Sequence, residues 1–391
     1  TYVGLIRVRD SRAPEPAGPG GGDVLFRDGI TLGTLPALDT YAVVQLEVAN
    51  AVAFAGSDFT NSGHLIRRTG SAVEVTMDHF DGLGGGLSSA AIRHGRVYLV
   101  TSGPMFSGNG SIQVYDLASG ALQMGYALPL GSNPWDLAFI DPDEAYITGY
   151  QSDALYRVNI DPAFTGNRLV NTTPLAAAAD PGFSVRPTEV IATAGGRVFL
   201  VGNHLDAGFS AAPAGLLIEI NPATDGIANA HDTTGVRNTG TLVEIPGAGR
   251  LTAAGSGTFA ASDGRSGTFN LTTNTWAADP LPANPRDWGE LAVTSTGRGF
   301  YTDFVLATVD HVGLPFTGPI SHVLSPMDPP LPPFPFVSDV AVDPGNFLYT
   351  SEFNTGTLRV FDAAAASTTS APVPVATVDL PDGVDALGVA E

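Results

Sequence analysis

A pair of short strands joined by a polar turn recurs along this chain, and no other feature limits the possible folds as much. One copy reads Gly95-Arg96-Val97-Tyr98-Leu99-Val100-Thr101, then, after a turn, Gly110-Ser111-Ile112-Gln113-Val114-Tyr115-Asp116. A second is Glu144-Ala145-Tyr146-Ile147-Thr148 followed by Ala154-Leu155-Tyr156-Arg157-Val158-Asn159. A third is Gly196-Arg197-Val198-Phe199-Leu200-Val201-Gly202-Asn203 followed by Gly215-Leu216-Leu217-Ile218-Glu219-Ile220-Asn221. The fourth is Asn346-Phe347-Leu348-Tyr349-Thr350-Ser351 followed by Gly356-Thr357-Leu358-Arg359-Val360-Phe361-Asp362. Such runs, short, apolar and bounded by turn residues, are strands. Another short apolar strand precedes most of them (135–140, 189–193, 339–343), and a fourth that ends near a proline usually follows (121–129, 375–381). Four antiparallel strands every ~40–50 residues is the arithmetic of a β-propeller blade.

The Tyr-(Ile/Leu)-(Val/Thr)-(Thr/Ser) strand followed by a (Leu/Ile)-x-Val-(Tyr/Phe/Asn)-(Asp/Ile) strand resembles the YVTN-type repeat family of β-propellers. The turn Asp116-Leu117-Ala118-Ser119-Gly120-Ala121-Leu122 suits that family's outer hairpin. The resemblance implies a fold, not an activity, because propellers host many functions.

Counting along the chain places repeat units near 41–78, 87–129, 134–175, 185–246, 250–282, 288–325 and 338–381. The ends supply more strands. Residues 384–391 read as an innermost strand, and 2–9, 23–27 and 30–35 as three further strands. Pairing the two ends would close an eighth blade and remove the open sheet edge. The expectation is therefore an all-β, single-domain propeller over 1–391 with eight four-stranded blades. Seven is the alternative, because the 250–282 unit is short. Residues 12–22 read as a flexible loop and 325–336 as a polyproline strap between blades. Residues 363–374 form a small-residue excursion, and 206–213 and 227–239 extend the 185–246 unit.

Composition removes several chemistries. The 391-residue chain contains neither Cys nor Lys. Thiolate nucleophiles, disulfides, zinc–thiolate sites, lysine Schiff bases and P-loops are therefore impossible. The net charge of −21 disfavours nucleic acid and anionic membranes as partners. No apolar run reaches the length of a membrane span. Sialidase boxes, a repeated Trp-ended docking motif and a G-x-S-x-G elbow are missing. The seven histidines (64, 79, 94, 204, 231, 311 and 322) show no zinc spacing.

One constellation stands out. Aligned on their apolar cores, the innermost strands place Asp136 before Leu137-Ala138-Phe139, Glu189 before Val190-Ile191-Ala192, Glu290 before Leu291-Ala292-Val293, and Asp339 before Val340-Ala341-Val342. Ser89 holds the same slot before Ala90-Ala91-Ile92, and Asp385 lies one place before it in the last strand. Innermost strands line the central channel, so these carboxylates should ring one mouth. Clustered carboxylates raise one another's pKa unless a cation or hydrogen-bond donors intervene. A calcium site made by Asp136, Glu189, Glu290 and Asp339 is one reading; ties to the neighbouring blade are the other. Phe334, Phe336, Trp135 and Trp288 lie near the same strand starts, where they would either line a face or pack between blades.

These features point to a non-catalytic secreted or cell-surface propeller, its signal peptide already removed, that binds protein. Self-assembly would follow if 384–391 completed a neighbour's blade. The alternative is a calcium-dependent, lactonase-like hydrolase built on the channel carboxylates. Glycan binding is a further option.

Overall fold

The computed structural model describes residues 51–57, 61–103, 110–258, 263–280, 286–303, 308–314, 320–324, 337–352, 355–366, 372–380, 383–384 and 386–390. All of them belong to one compact unit, Val48–Glu391. Within it, seven antiparallel four-stranded sheets form the blades of a β-propeller.

Blade two is typical. Its strands run Leu87–Arg93, Arg96–Thr101, Ser111–Asp116 and Leu122–Ala127 from channel to rim. The second strand is buried at nearly every position, whereas the outermost exposes most of its residues. Inner strands are covered on both faces by adjacent blades, so they read as unbroken apolar runs; rim strands are not. The core is accordingly a series of layers between blades. Val100, Ile112 and Val114 of blade two, for example, pack with Leu137, Ala145 and Ile147 of blade three.

The outer hairpin turn follows its sequence. Asp116 accepts the Ser119 N–H through its side chain at 2.8 Å and the Gly120 N–H through its backbone carbonyl at 2.9 Å. Gly120 has φ +70°, and a Cβ there would lie 1.8 Å from the His79 carbonyl oxygen. Only glycine fits that turn and that approach between blades.

Blades three to seven open with innermost strands Pro134–Phe139, Pro187–Ala192, Thr239–Ile245, Trp288–Val293 and Val337–Val342. The repeat spacing in the sequence assigns 239–245 to the end of the 185–246 unit. It is instead the first strand of blade five, which is therefore complete with Arg250–Gly255, Arg265–Asn270 and Thr275–Ala278. The insertion in blade four forms a small extra ladder, Phe183–Ser184 against Leu205–Asp206.

The ring has seven blades, not eight. Among the described residues, blade one has three strands from its own stretch of chain, Ala51–Ser57, Ser62–Thr69 and Ala72–Asp81. Its innermost place is taken by Ala386–Val389, with Phe54 opposite Gly388. Closure by one C-terminal strand and three earlier ones thus occurs as expected in kind, but at the 41–78 unit. The physical reason is that a three-stranded blade would leave an unpaired edge facing the channel. Ala386–Val389 completes a blade of its own chain. The proposed strands at 2–9, 23–27 and 30–35, the loop 12–22 and the strap 325–336 lie outside the described residues.

Side chains reinforce the closing seam. Arg68 of blade one meets Asp343 of blade seven, with Nη2 2.7 Å and Nε 2.8 Å from Oδ2. Tyr349 Oη donates to the same carboxylate at 3.0 Å, and the guanidinium carbon of Arg68 stands 3.7 Å from the Phe347 ring centroid. Both ion-pair partners are almost wholly buried.

Candidate functional site

Each innermost strand of blades two to seven carries a register shift near its start: Leu87/Ser89, Pro134/Leu137, Pro187/Val190, Thr239/Thr241, Trp288/Leu291 and Val337/Asp339. A bulge bends the strand and frees backbone groups from the ladder. The second strand answers with a hydroxyl. Asp136 N–H donates to Thr148 Oγ1 and Glu290 N–H to Thr302 Oγ1, both at 2.9 Å. The bulge also places the slot residue at the channel.

The four aligned carboxylates come together there. Asp136, Glu189, Glu290 and Asp339 line one cavity of about 160 Å³, with Ser89 and Trp135 among its other walls. The serine at the same slot joins them directly: Ser89 Oγ donates to Asp136 Oδ1 at 2.7 Å. Asp385 lies outside the described residues.

Most of these acids tie one blade to the next. Asp136 Oδ2 accepts the Val190 N–H of blade four at 3.1 Å. Glu189 Oε2 accepts the Leu242 N–H of blade five, and Thr241 Oγ1 donates to the same oxygen at 3.0 Å. Asp339 Oδ2 accepts the Leu387 N–H of the closing strand at 2.7 Å, while its Oδ1 accepts the Val340 N–H at 2.7 Å. Three of the four follow one rule: the slot carboxylate receives the N–H just after the slot of the following blade. Glu290 departs from it, since its carboxyl meets the Glu189 side chain instead.

Protonation follows from this crowding. Enclosure by protein is the largest influence on all four groups and pushes every one upward. Asp136 rises to about 6 although Ser89 and the Val190 N–H pull it down. Glu290 rises to about 7, with the Asp136 charge adding to the effect of burial and Glu189 opposing it. Glu189 and Asp339 are raised well above the usual carboxylate range by burial and then by the charge of Glu290. At neutral pH the ring therefore holds protons as well as charge, and Glu189 and Glu290 can share one.

Among the described residues, no group of three or more His, Asp or Glu side chains is placed to hold a metal ion. Trp135 lines the acidic cavity and faces Tyr150, with ring centroids 5.0 Å apart. Trp288 instead packs inside, stacked on Tyr301 at 4.3 Å and donating to Asp310 at 3.0 Å. Phe334 and Phe336 lie outside the described residues. Thr241 is a slot residue that the repeat spacing does not reveal, because its strand reads as part of blade four; its place before Leu242-Val243 is the signal that marks it.

No protein-family model matches the chain, and no curated protein matches it. Solved structures do. A protein from Bacteroides uniformis, proposed to be a 6-phosphogluconolactonase, superposes with a TM-score of 0.63 at 11% identity, over 87% of this chain and 99% of that one. A similarly described protein from Bacteroides fragilis gives 0.61 at 13% identity, over 87% and 98%. The virginiamycin B lyase of Staphylococcus aureus gives 0.53 at 10% identity, over 76% and 85%. At these identities the likeness concerns architecture alone, and on that ground, together with its seven closed blades, this chain is a β-propeller.

Proposed function

We propose that the chain is an exported, non-catalytic β-propeller that binds a protein partner, with its channel carboxylates serving as ties between blades. The observation that carries this reading is the use of both oxygens of Asp136 and of Asp339 as acceptors for fixed N–H and O–H donors. Each of these oxygens thus already holds a donor of the scaffold. The charge of −21 favours a basic partner. The test is direct. Purified protein should hydrolyse no lactone or ester panel above background, and neither EDTA nor added Ca²⁺ should move its melting temperature. Calcium-dependent hydrolysis, lost on mutating Glu290, would overturn the reading.

One observation favours the second reading, a calcium-dependent hydrolase. The carboxyl of Glu290 is not tied to the next blade and sits near neutrality, where a general base works best. A phosphorylated lactone, the substrate named for the Bacteroides proteins, suits the site poorly, because four carboxyls line the cavity it would enter.

A further inference from the structure

The channel's other end carries a different surface. The innermost strands of blades two, three and four finish there around a cleft of about 470 Å³. That is within the ~300–1,000 Å³ range of small-molecule sites. Its walls are mixed: the apolar side chains of Leu137, Phe139, Ile140, Val190 and Ile191 share them with about as much polar surface. One charged side chain lines it, Arg93, the last residue of strand Leu87–Arg93.

Arg93 is in an unusual position. Its guanidinium carbon stacks 4.9 Å from the Phe139 ring centroid, and among the described residues it forms no ion pair. Its cross-strand partner is Arg96, so two like charges face each other across a tight turn. Like charges so placed repel. Arg96 donates to Gln123 at 3.0 Å and lies opposite Asp116 on its other side, so the nearby acid serves Arg96 rather than Arg93. On the blade-five side, Glu244 is engaged by the Ala194 N–H at 2.8 Å. Among the described residues Arg93 is thus a half-buried cation with no carboxylate partner, set beside a cleft that apolar strand ends help to form.

We propose that this cleft binds a small amphipathic carboxylate, its hydrocarbon body on the apolar strand ends and its carboxylate on Arg93. The ring of Phe139 covers one face of the guanidinium and leaves the N–H edges for a forked, charge-assisted contact. The proposal is independent of what the acidic mouth does.

Isothermal titration with decanoate, decanol and decyltrimethylammonium on the full chain tests it. Decanoate should bind and the other two should bind at least about tenfold more weakly, as loss of a charge-assisted hydrogen bond implies. Arg93→Gln should weaken decanoate about ten- to hundredfold, and Arg93→Lys should restore part of the affinity. Ala192→Trp, at an exposed position of the rim, should block binding without unfolding the protein. The proposal fails if decanoate does not bind at millimolar concentration. It also fails if decanol or the cation binds equally well, or if a folded Ala192→Trp variant binds decanoate as the parent does.

Discussion

Replacing Glu290 by Gln should remove a pH-dependent loss of stability. The carboxyl rises from its ordinary 4.5 to about 7 in the folded ring, chiefly through burial. The sign follows from linkage. Between pH 4.5 and 7 the folded state holds a proton that the unfolded state has released, so stability falls as pH rises through that window. At 1.36 kcal/mol per unit, going from pH 5 to 8 costs about 3 kcal/mol. For a unit of this size the unfolding entropy is ~0.7 kcal/mol per degree, so the melting temperature should drop by about 4 °C from this group alone. Other acids also titrate, and the comparison between variants isolates Glu290. Thermal unfolding followed by circular dichroism at pH 5 and 8, for parent and Glu290→Gln, measures it. The parent should lose about 4 °C more than the variant. Parallel curves would refute the reasoning, because Glu290 would then ionise as readily in the folded ring as in the open chain.

The seam and the ties between blades give further tests. Asp343→Ala strands the buried Arg68 charge and should cost about 3–5 kcal/mol, seen as a lower urea midpoint. Asp136→Ala leaves the Val190 N–H and the Ser89 hydroxyl without their acceptor and should cost about 1–3 kcal/mol, with Asp136→Asn milder. Deleting 384–391 uncovers the edge of Ala51–Ser57, and size-exclusion chromatography should show aggregation in place of the parent's elution peak.

Much of the fold was legible in the chain because inner blade strands are buried on both faces. Val97–Val100 and Phe199–Val201 read as strands with no tertiary information. The acid slot was legible too, since alignment on the following apolar residues put Asp136, Glu189, Glu290 and Asp339 at one level, and the structure gathers them around one cavity. The start of blade five is not legible, because only Gly235-Val236-Arg237-Asn238 separates it from blade four, and so short a connection looks like an extension of one sheet. The cleft at Arg93 left no trace, since its walls are ordinary core residues from three blades.

The sequence by itself determined the repeating unit: period-two strands, turn residues at fixed offsets, and an acid at the start of several innermost strands. These are local properties, written in neighbouring residues. Tertiary structure decided the number of blades, because the pairing of Ala386–Val389 with Ala51–Ser57 turns eight candidate sheets into seven closed ones. It also decided what the acids do. Whether a carboxylate stays charged, shares a proton or holds the next blade depends on donors and enclosure contributed by residues far away in the chain. Only closing the ring brings those residues together.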